Sequence, residues 1–531
     1  MAETYEKERA KYLQHLEHDS GTGATNGAGH AFETTPLFSL AVRHAGGKVD
    51  VEQVSELVEK RLHISNTPSD SRPAEPSVSS SSGGESDLES TEDNNHGNQP
   101  AHPHSNKDIL SQYGLLGFHV GEHPGITQQE PILLNTRAPN STFLCGSQGS
   151  GRSFTLACIL ENYLFPDEKF GSVANPVAGV AFHFDDDDAL SGAEVASLCG
   201  RGVEVNVLVP SSNFHKLNAA YQKIAKQVGG RINVDRLLLR DEHLSISRMH
   251  KLMAFNESSD TGVPLYIAVI NNTLHRMAIE GKPFKFADLE RRLDAEDFMP
   301  AQRNLLNLRF NLLKSFLSSS ALPKHKPKRD IFQVSPGALT IVDLSDPFID
   351  ASIVCTLFDM SLSLFKQNRP EDGLVITLDE AHKYLNNSAG AEKFTEHLIT
   401  TIRMQRHHAT RVVIATQEPT ISGSLLDLCS VSMVHRFTSP AWFQAIKDHL
   451  SAASSLAASA AEQQAMFDGI VNLATGESFV FSPTSFVCVK DGKEEKLGTG
   501  VMKVKTRKRE GRDLGRSKMA GGQQTATLTG I

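Results

Sequence analysis

The chain has 531 residues, 39% hydrophobic and 22% charged, with a formal net charge of -9 at pH 7. This is a globular composition, long enough for roughly two to four domains and a large core. The acidic balance argues against a body wrapped in nucleic acid, whose binders carry a basic surplus.

The N-terminus, "MAETYEKERAKYLQ", is charged and has no apolar stretch of the signal-peptide kind. Residues 1–64 suggest a small N-terminal element: an amphipathic helix over the first twenty, the strand-like "FETTPLFSLAV", and a helix over "DVEQVSELVEKRLH" capped by Asp50. Residues 65–107 are rich in Ser, Pro, Gly, Asn and acid and predict a disordered linker, because such a composition buries too little apolar surface to offset ordering entropy.

From residue 108 onward strands and helices alternate. "STFLCGSQGSGRSFTLACILENYL" reads as strand, glycine loop and helix, and "VAGVAFHF" and "VEVNVLV" as further strands. Residues 214–325 show helical periodicity and suggest an insertion between the first part of the core, 108–213, and the second, 326–490. In that second part "GALTIVDLS", "GLVITLDE", "TRVVIATQ" and "VSMVHRF" are four more apolar runs. The run "ASIVCTLFDMSLSLF" is too short to span a bilayer and carries Asp359, so it predicts a buried helix. Residues 491–531 are basic, with Lys503, Lys505, Arg507, Lys508, Arg509, Arg512, Arg516 and Lys518, and suggest a disordered tail. The pattern predicts an α/β fold with a mainly parallel sheet flanked by helices. Six scattered cysteines, without C-x-x-C, fit reduced thiols in an intracellular protein, cytoplasmic or nuclear, with no membrane partner.

Three stretches carry candidate chemistry. "CGSQGSGRS" places Gly146, Gly151 and Ser153 as the phosphate-loop pattern G-x-x-x-x-G-K-[ST] requires, but puts Arg152 in the lysine position. Such a loop aims backbone N–H groups from Gly146, Ser147, Gln148, Gly149, Ser150, Gly151, Arg152, Ser153 and Phe154 towards an anion at a helix N-terminus. Ser153 would offer its hydroxyl to Mg²⁺, and the cation at 152 would reach the β- and γ-phosphates of ATP. "GLVITLDEAH" ends a strand in Asp379, a candidate Mg²⁺ ligand, and Glu380, a candidate base for the attacking water. "TRVVIATQEP" ends a further strand in Gln417, which would orient that water or sense the γ-phosphate. The alternative for each stretch alone is structural: a glycine turn, helix N-caps, a strand end before Pro419.

Together, "FLCGSQGSGRS", "LVITLDEAHKYL", "TTIRMQRHHATRVVIATQEP" and "CSVSMVHRF" resemble successive motifs of the HerA/FtsK-type P-loop ATPases, and "ATGESFVFSP" resembles that family's terminal strand segment. The resemblance covers roughly residues 130–185 and 335–485. It implies a RecA-like core with an extra strand between the two acidic-binding motifs, ATP with Mg²⁺ as ligand, and a homo-hexameric ring moving or remodelling DNA. By motif correspondence it implies Arg436 as an arginine finger towards a neighbouring subunit, with Arg403 and Arg406 as weaker candidates. Two departures stand out: Arg152, whose planar guanidinium is not equivalent to an ammonium, and "HFDDDDALSG", which matches the family's corresponding segment only loosely. Arg152 leaves open a pseudo-ATPase, a scaffold or switch that binds nucleotide without turning it over. A different P-loop enzyme with a small substrate is a third reading, which fold alone does not exclude.

Overall fold

The computed structural model describes residues 33–44, 109–185, 192–253, 265–317, 330–450, 459–490 and 493–509. Its first elements are β1 (Leu37–Ser39), α1 (Leu40–His44), β2 (Tyr113–His119), β3 (Pro131–Asn135), β4 (Ser141–Cys145), α2 (Arg152–Leu164), β5 (Gly171–Ser172) and β6 (Ala178–His183). There follow β7 (Glu204–Val209), α3 (Phe214–Val228), β8 (Ile232–Arg236), and the helices α4 (Ile246–Met253), α5 (Leu265–Ile279), α6 (Phe286–Asp294) and α7 (Pro300–Ser315). The second part contains β9 (Ala338–Asp343), α8 (Ala351–Gln367), β10 (Leu374–Leu378), α9 (Ala389–Arg403), β11 (Thr410–Thr416), α10 (Gly423–Leu426) and β12 (Val431–His435). The last elements are α11 (Pro440–Leu450), α12 (Ala460–Val471), β13 (Glu477–Phe481), β14 (Phe486–Lys490), β15 (Lys493–Lys496) and β16 (Met502–Thr506).

Among the described residues the strands form one sheet in the order β15-β14-β1-β3-β2-β16-β13-β12-β4-β11-β10-β6-β9-β7-β8, with β5 beside β2. From β12 to β8 every pairing is parallel. The wing from β12 to β15 is antiparallel apart from the β1–β14 contact. The central strands are buried along their whole length, which is why they read as unbroken apolar runs. Alternation still sorts their side chains between two cores. Phe143, Phe182, Ile376 and Ile414 face the core under α8 and α9. Leu144, Ala181, Val375 and Val413 face the core under α2 and α3. The sequence run carrying Asp359 is the buried helix α8, and among the described residues no helix is long and apolar enough to cross a membrane.

Three boundaries differ from the sequence expectation. The helical insertion does not begin at 214: α3 and β8 continue the parallel sheet, with Val207 opposite Val234, and the all-helical part starts at α4. "INVDR" misleads because β8 is a sheet edge with an exposed face and too few apolar residues to show its period. The stretch around 37 is no separate element, since Leu37 and Phe38 are fully buried and β1 pairs with β3 and β14. The predicted N-terminal helices and the linker 65–107 lie outside the described residues.

The basic tail is the third correction, up to residue 509. β15 pairs with β14, and β16 lies between β13 and β2. Met502, Val504 and Thr506 are buried while Lys503 and Lys505 take the other face, so the lysine count hides a strand alternation. Beyond it, Arg507 Nη2 and Arg509 Nε bind the two oxygens of Glu161 on α2 at 2.9 and 3.0 Å. Residues 510–531 lie outside the described residues.

Candidate functional site

The glycine loop leaves β4 at the carboxyl end of the parallel strands, where α/β sheets bind ligands. Gly146, Gly149 and Gly151 have φ of 156°, 75° and 99°. The last two demand glycine on conformational grounds, and the first and third on packing. A Cβ at Gly146 would lie 2.6 Å from Cβ of His435, and one at Gly151 would lie 2.6 Å from the nitrogen of Gly476. Three contacts fix the loop from behind: Ser147 donates twice to the carbonyl of Arg436, at 3.0 and 2.8 Å, and Gly476 N–H donates to the carbonyl of Ser150 at 2.8 Å. Arg436 thus anchors the loop through its backbone; its half-exposed guanidinium has no bonded partner among the described residues. Gln148 and Gly149 are exposed, Ser153 and Phe154 half-buried, and Arg403 and Arg406 lie exposed at and beyond the end of α9.

The acid strand β10 is not adjacent to the loop strand. β11 lies between them, with Thr416 opposite Cys145 on one side and Ile414 opposite Leu378 on the other. This brings Gln417 from the end of β11 to Glu380, whose Oε1 accepts from Gln417 Nε2 at 3.1 Å. The same Oε1 accepts a short ionic hydrogen bond from Nη2 of Arg152. Arg152 is 4% exposed, and its charge acts inward: its field reaches Asp379, His382, His435 and Cys145. The sequence expectation sends this cation to phosphate; the structure turns it to the carboxylate. Glu380 itself stands in the left-handed region, φ 50°, an unusual conformation for a residue other than glycine and one that clusters at functional sites. Its Oε2 is buried and accepts no hydrogen bond among the described residues, with His382 Nδ1 3.6 Å away.

Asp379 is brought to His183 at the end of β6, with Oδ2 3.3 Å from Nδ1. Burial favours the neutral carboxyl, but the hydrogen bond and charge of His183 outweigh it and hold Asp379 below the usual carboxylate range. Burial likewise disfavours the imidazolium, yet the bond to Asp379 and the fields of Asp343 and Asp185 push the His183 pKa up to about 9. Behind this pair Asp343 accepts from Tyr221 at 2.6 Å, and Asp185 accepts from Lys383 at 2.6 Å. His183, Asp343, Tyr221 and Lys383 escape a motif-based reading; the signal for His183 is a polar residue closing the apolar run "VAGVAFHF". Of the four aspartates in "DDDD", Asp185 has this lysine partner and the others lie outside the described residues.

These residues fit a bound nucleotide. The loop is a cradle at a helix N-terminus, exposed at Gln148 and Gly149, and the buried Ser150 Oγ and Arg152 Nε lack hydrogen-bond partners among the described residues. No group of three His, Cys, Asp or Glu among the described residues can hold a metal by itself. A water-rich Mg²⁺ completed by phosphate oxygens does not need one, and Ser153 with Asp379 supplies one hydroxyl and one carboxylate.

Glycine loop, acid pair and intervening strand define the class: an α/β P-loop core of RecA-like arrangement, extended by helices on one face and an antiparallel wing. No protein-family model matches the chain, and no curated protein does. Among solved structures it is similar to VirB4 of Thermoanaerobacter pseudethanolicus, at 13% identity over 74% of this chain and 98% of that one, TM-score 0.39. It is also similar to the bacterial conjugative coupling protein TrwB, at 12% identity over 74% and 91% of the two chains, TM-score 0.42. A third is the genome-packaging NTPase B204 of Sulfolobus turreted icosahedral virus 2 in complex with AMP, at 9% identity over 65% and 92%, TM-score 0.26.

Proposed function

We propose that this protein is a P-loop ATPase of the HerA/FtsK kind, which binds ATP with Mg²⁺ and couples its hydrolysis to moving or remodelling DNA. The observation that carries the reading is the state of Glu380. Gln417 and Arg152 grip its Oε1, while Oε2 is buried and accepts no hydrogen bond among the described residues. A carboxylate oriented through one oxygen and unpaired at the other is placed to take a proton once water is admitted beside it.

Bound ATP and Mg²⁺ would supply the phosphoanhydride to be cleaved and the divalent charge that stabilises its departure. The chain's own part follows from position. Backbone N–H groups of Gly149, Gly151, Arg152 and Ser153 would bind phosphate oxygens, Ser153 and Asp379 would hold the metal, and Glu380 Oε2 would receive the proton of water. Gln417 keeps that carboxylate and the water in line. Arg152 works on the base rather than the phosphate, holding the Glu380 carboxylate through Oε1. Arg436, with its guanidinium unbonded, would complete the site of a neighbouring subunit in a ring of six copies. Six free cysteines fit an intracellular setting, cytoplasmic or nuclear.

Phosphate release by the purified full chain with Mg-ATP, with and without DNA, tests the reading. Turnover that DNA stimulates, with a steep loss at high salt, and that Glu380→Gln abolishes is the expected result. ATP binding without turnover would leave a nucleotide-dependent scaffold, and no binding would remove the assignment.

A further inference from the structure

A phosphate loop needs a positive charge beyond its own N–H groups, and here the residue in the usual place is occupied. Arg152 is buried against Glu380. A second cation stands at the loop's other side. Residues 475 and 476 lie against the loop: Thr475 Oγ1 donates to the carbonyl of Gly149 at 3.4 Å, and Gly476 N–H donates to that of Ser150 at 2.8 Å. The ammonium of Lys505, on β16, donates to the carbonyl of Thr475 at 2.5 Å.

Lys505 has an obvious partner that it does not use. Glu477 lies directly opposite it in the β13–β16 register. That carboxylate instead accepts from Lys503 at 2.8 Å and from the N–H of Ala474 at 3.0 Å. Lys505 is left with no carboxylate within ion-pair distance among the described residues, and one carbonyl for three N–H donors. Its path to the loop runs over Gly476, where an added Cβ would already stand 3.8 Å from Cε and Nζ. Gly476 in turn touches Gly151, the residue before α2. A half-buried ammonium with no ion-pair contact among the described residues is thus placed two glycines from a helix N-terminus that itself favours anions.

We infer that Lys505, not Arg152, is the cation of the glycine loop, placed to hold a phosphate group of the bound nucleotide. The inference rests on the nucleotide-binding reading above and adds to it a residue from the last strand of the sheet. It divides the work of the missing lysine: Lys505 supplies phosphate charge, and Arg152 is left to the base. An ammonium on a flexible stem suits a ligand approached from an adjacent strand, since it needs no fixed plane.

The test is equilibrium binding of a fluorescent ATP analogue and of adenosine to the full chain and to Lys505→Ala, Lys505→Arg and the exposed Lys508→Ala, with circular dichroism of each variant. Lys505→Ala is expected to weaken ATP binding about 10- to 100-fold, the worth of a charge-assisted hydrogen bond, and to leave adenosine binding unchanged. Lys505→Arg should recover most of the loss, and Lys508→Ala should stay within about twofold of the unaltered chain on the same scale. Equal ATP affinity in Lys505→Ala and the unaltered chain overturns this inference alone. So does an equal loss for adenosine, which would make Lys505 a wall of the pocket. If the unaltered chain binds neither ligand, the nucleotide reading fails and this inference with it.

Discussion

Replacing Arg152 by alanine separates the two tasks a cation can have at this position. The guanidinium is 5% exposed at its side chain and its partner Glu380 17%. Removing one member of a buried pair costs about 3–5 kcal/mol, because the other charge stays behind without compensation. Glu380 keeps its bond from Gln417, and its partial exposure lets water reach it, so the cost falls at the lower end, about 3 kcal/mol. In a chain of this size that is a fall in Tm of a few degrees. A phosphate-binding lysine, when removed, takes nucleotide affinity with it and leaves the empty protein intact. Arg152→Ala should do the reverse. ATP affinity should stay within about threefold, since the guanidinium has no role at the phosphate, whereas turnover should fall at least tenfold as Glu380 loses its orientation. Thermal unfolding of the empty protein, titration with an ATP analogue and phosphate release measure the three quantities separately. Unchanged Tm together with a tenfold or greater loss of ATP affinity would refute the assignment of Arg152 to the base.

Other perturbations address the scaffold around the site. Glu161→Ala leaves the buried guanidiniums of Arg507 and Arg509 without their carboxylate; we expect a loss of about 3–5 kcal/mol in chemical denaturation and new proteolytic cleavage around residue 507. Gly151→Ala must place a methyl 2.6 Å from Gly476 N at a φ of 99°, and should cost clearly more than Gly149→Ala, which meets open space and carries only the left-handed penalty of about 1 kcal/mol. His435 is fully buried, and burial lowers its pKa to about 4. The unfolded chain therefore takes up the proton first, near pH 6.5, so this residue's contribution to stability is lost as pH falls from about 6.5 to 4. That loss is worth about 3 kcal/mol and should be missing from the denaturation profile of His435→Asn.

The parallel half of the sheet was legible because strands buried on both faces must be apolar throughout, as "LVITL" and "RVVIAT" are. Their terminal polar residues could be assigned to one edge from parallel topology alone. The direction of Arg152 could not: a glycine loop specifies where its backbone bends, not where a long side chain two residues later finds its counter-charge. Lys505 was hidden for a different reason. In "MKVKT" the charge count argues for solvent while the alternation argues for a strand, and only pairing with β13 and β2 decides between them. β8 was missed because an edge strand shows too few apolar residues for a period to emerge, and β1, legible as a strand, gave no sign that it pairs with β3 and β14.

The separation in sequence of the groups that meet at Glu380 sets a condition on how the protein is made. Arg152 and Glu380 are 228 residues apart. At about 5–20 residues per second of synthesis, the arginine leaves the ribosome roughly 10–45 s before the carboxylate that neutralises it. Throughout that interval β4 has neither of its neighbours, β11 and β12, and exposes two unpaired edges of apolar strand. β2 waits longer still, until β16 is released to pair with it. Nascent chains halted between residues 164 and 410 should therefore be the species that chaperones hold and that aggregate when chaperones are depleted.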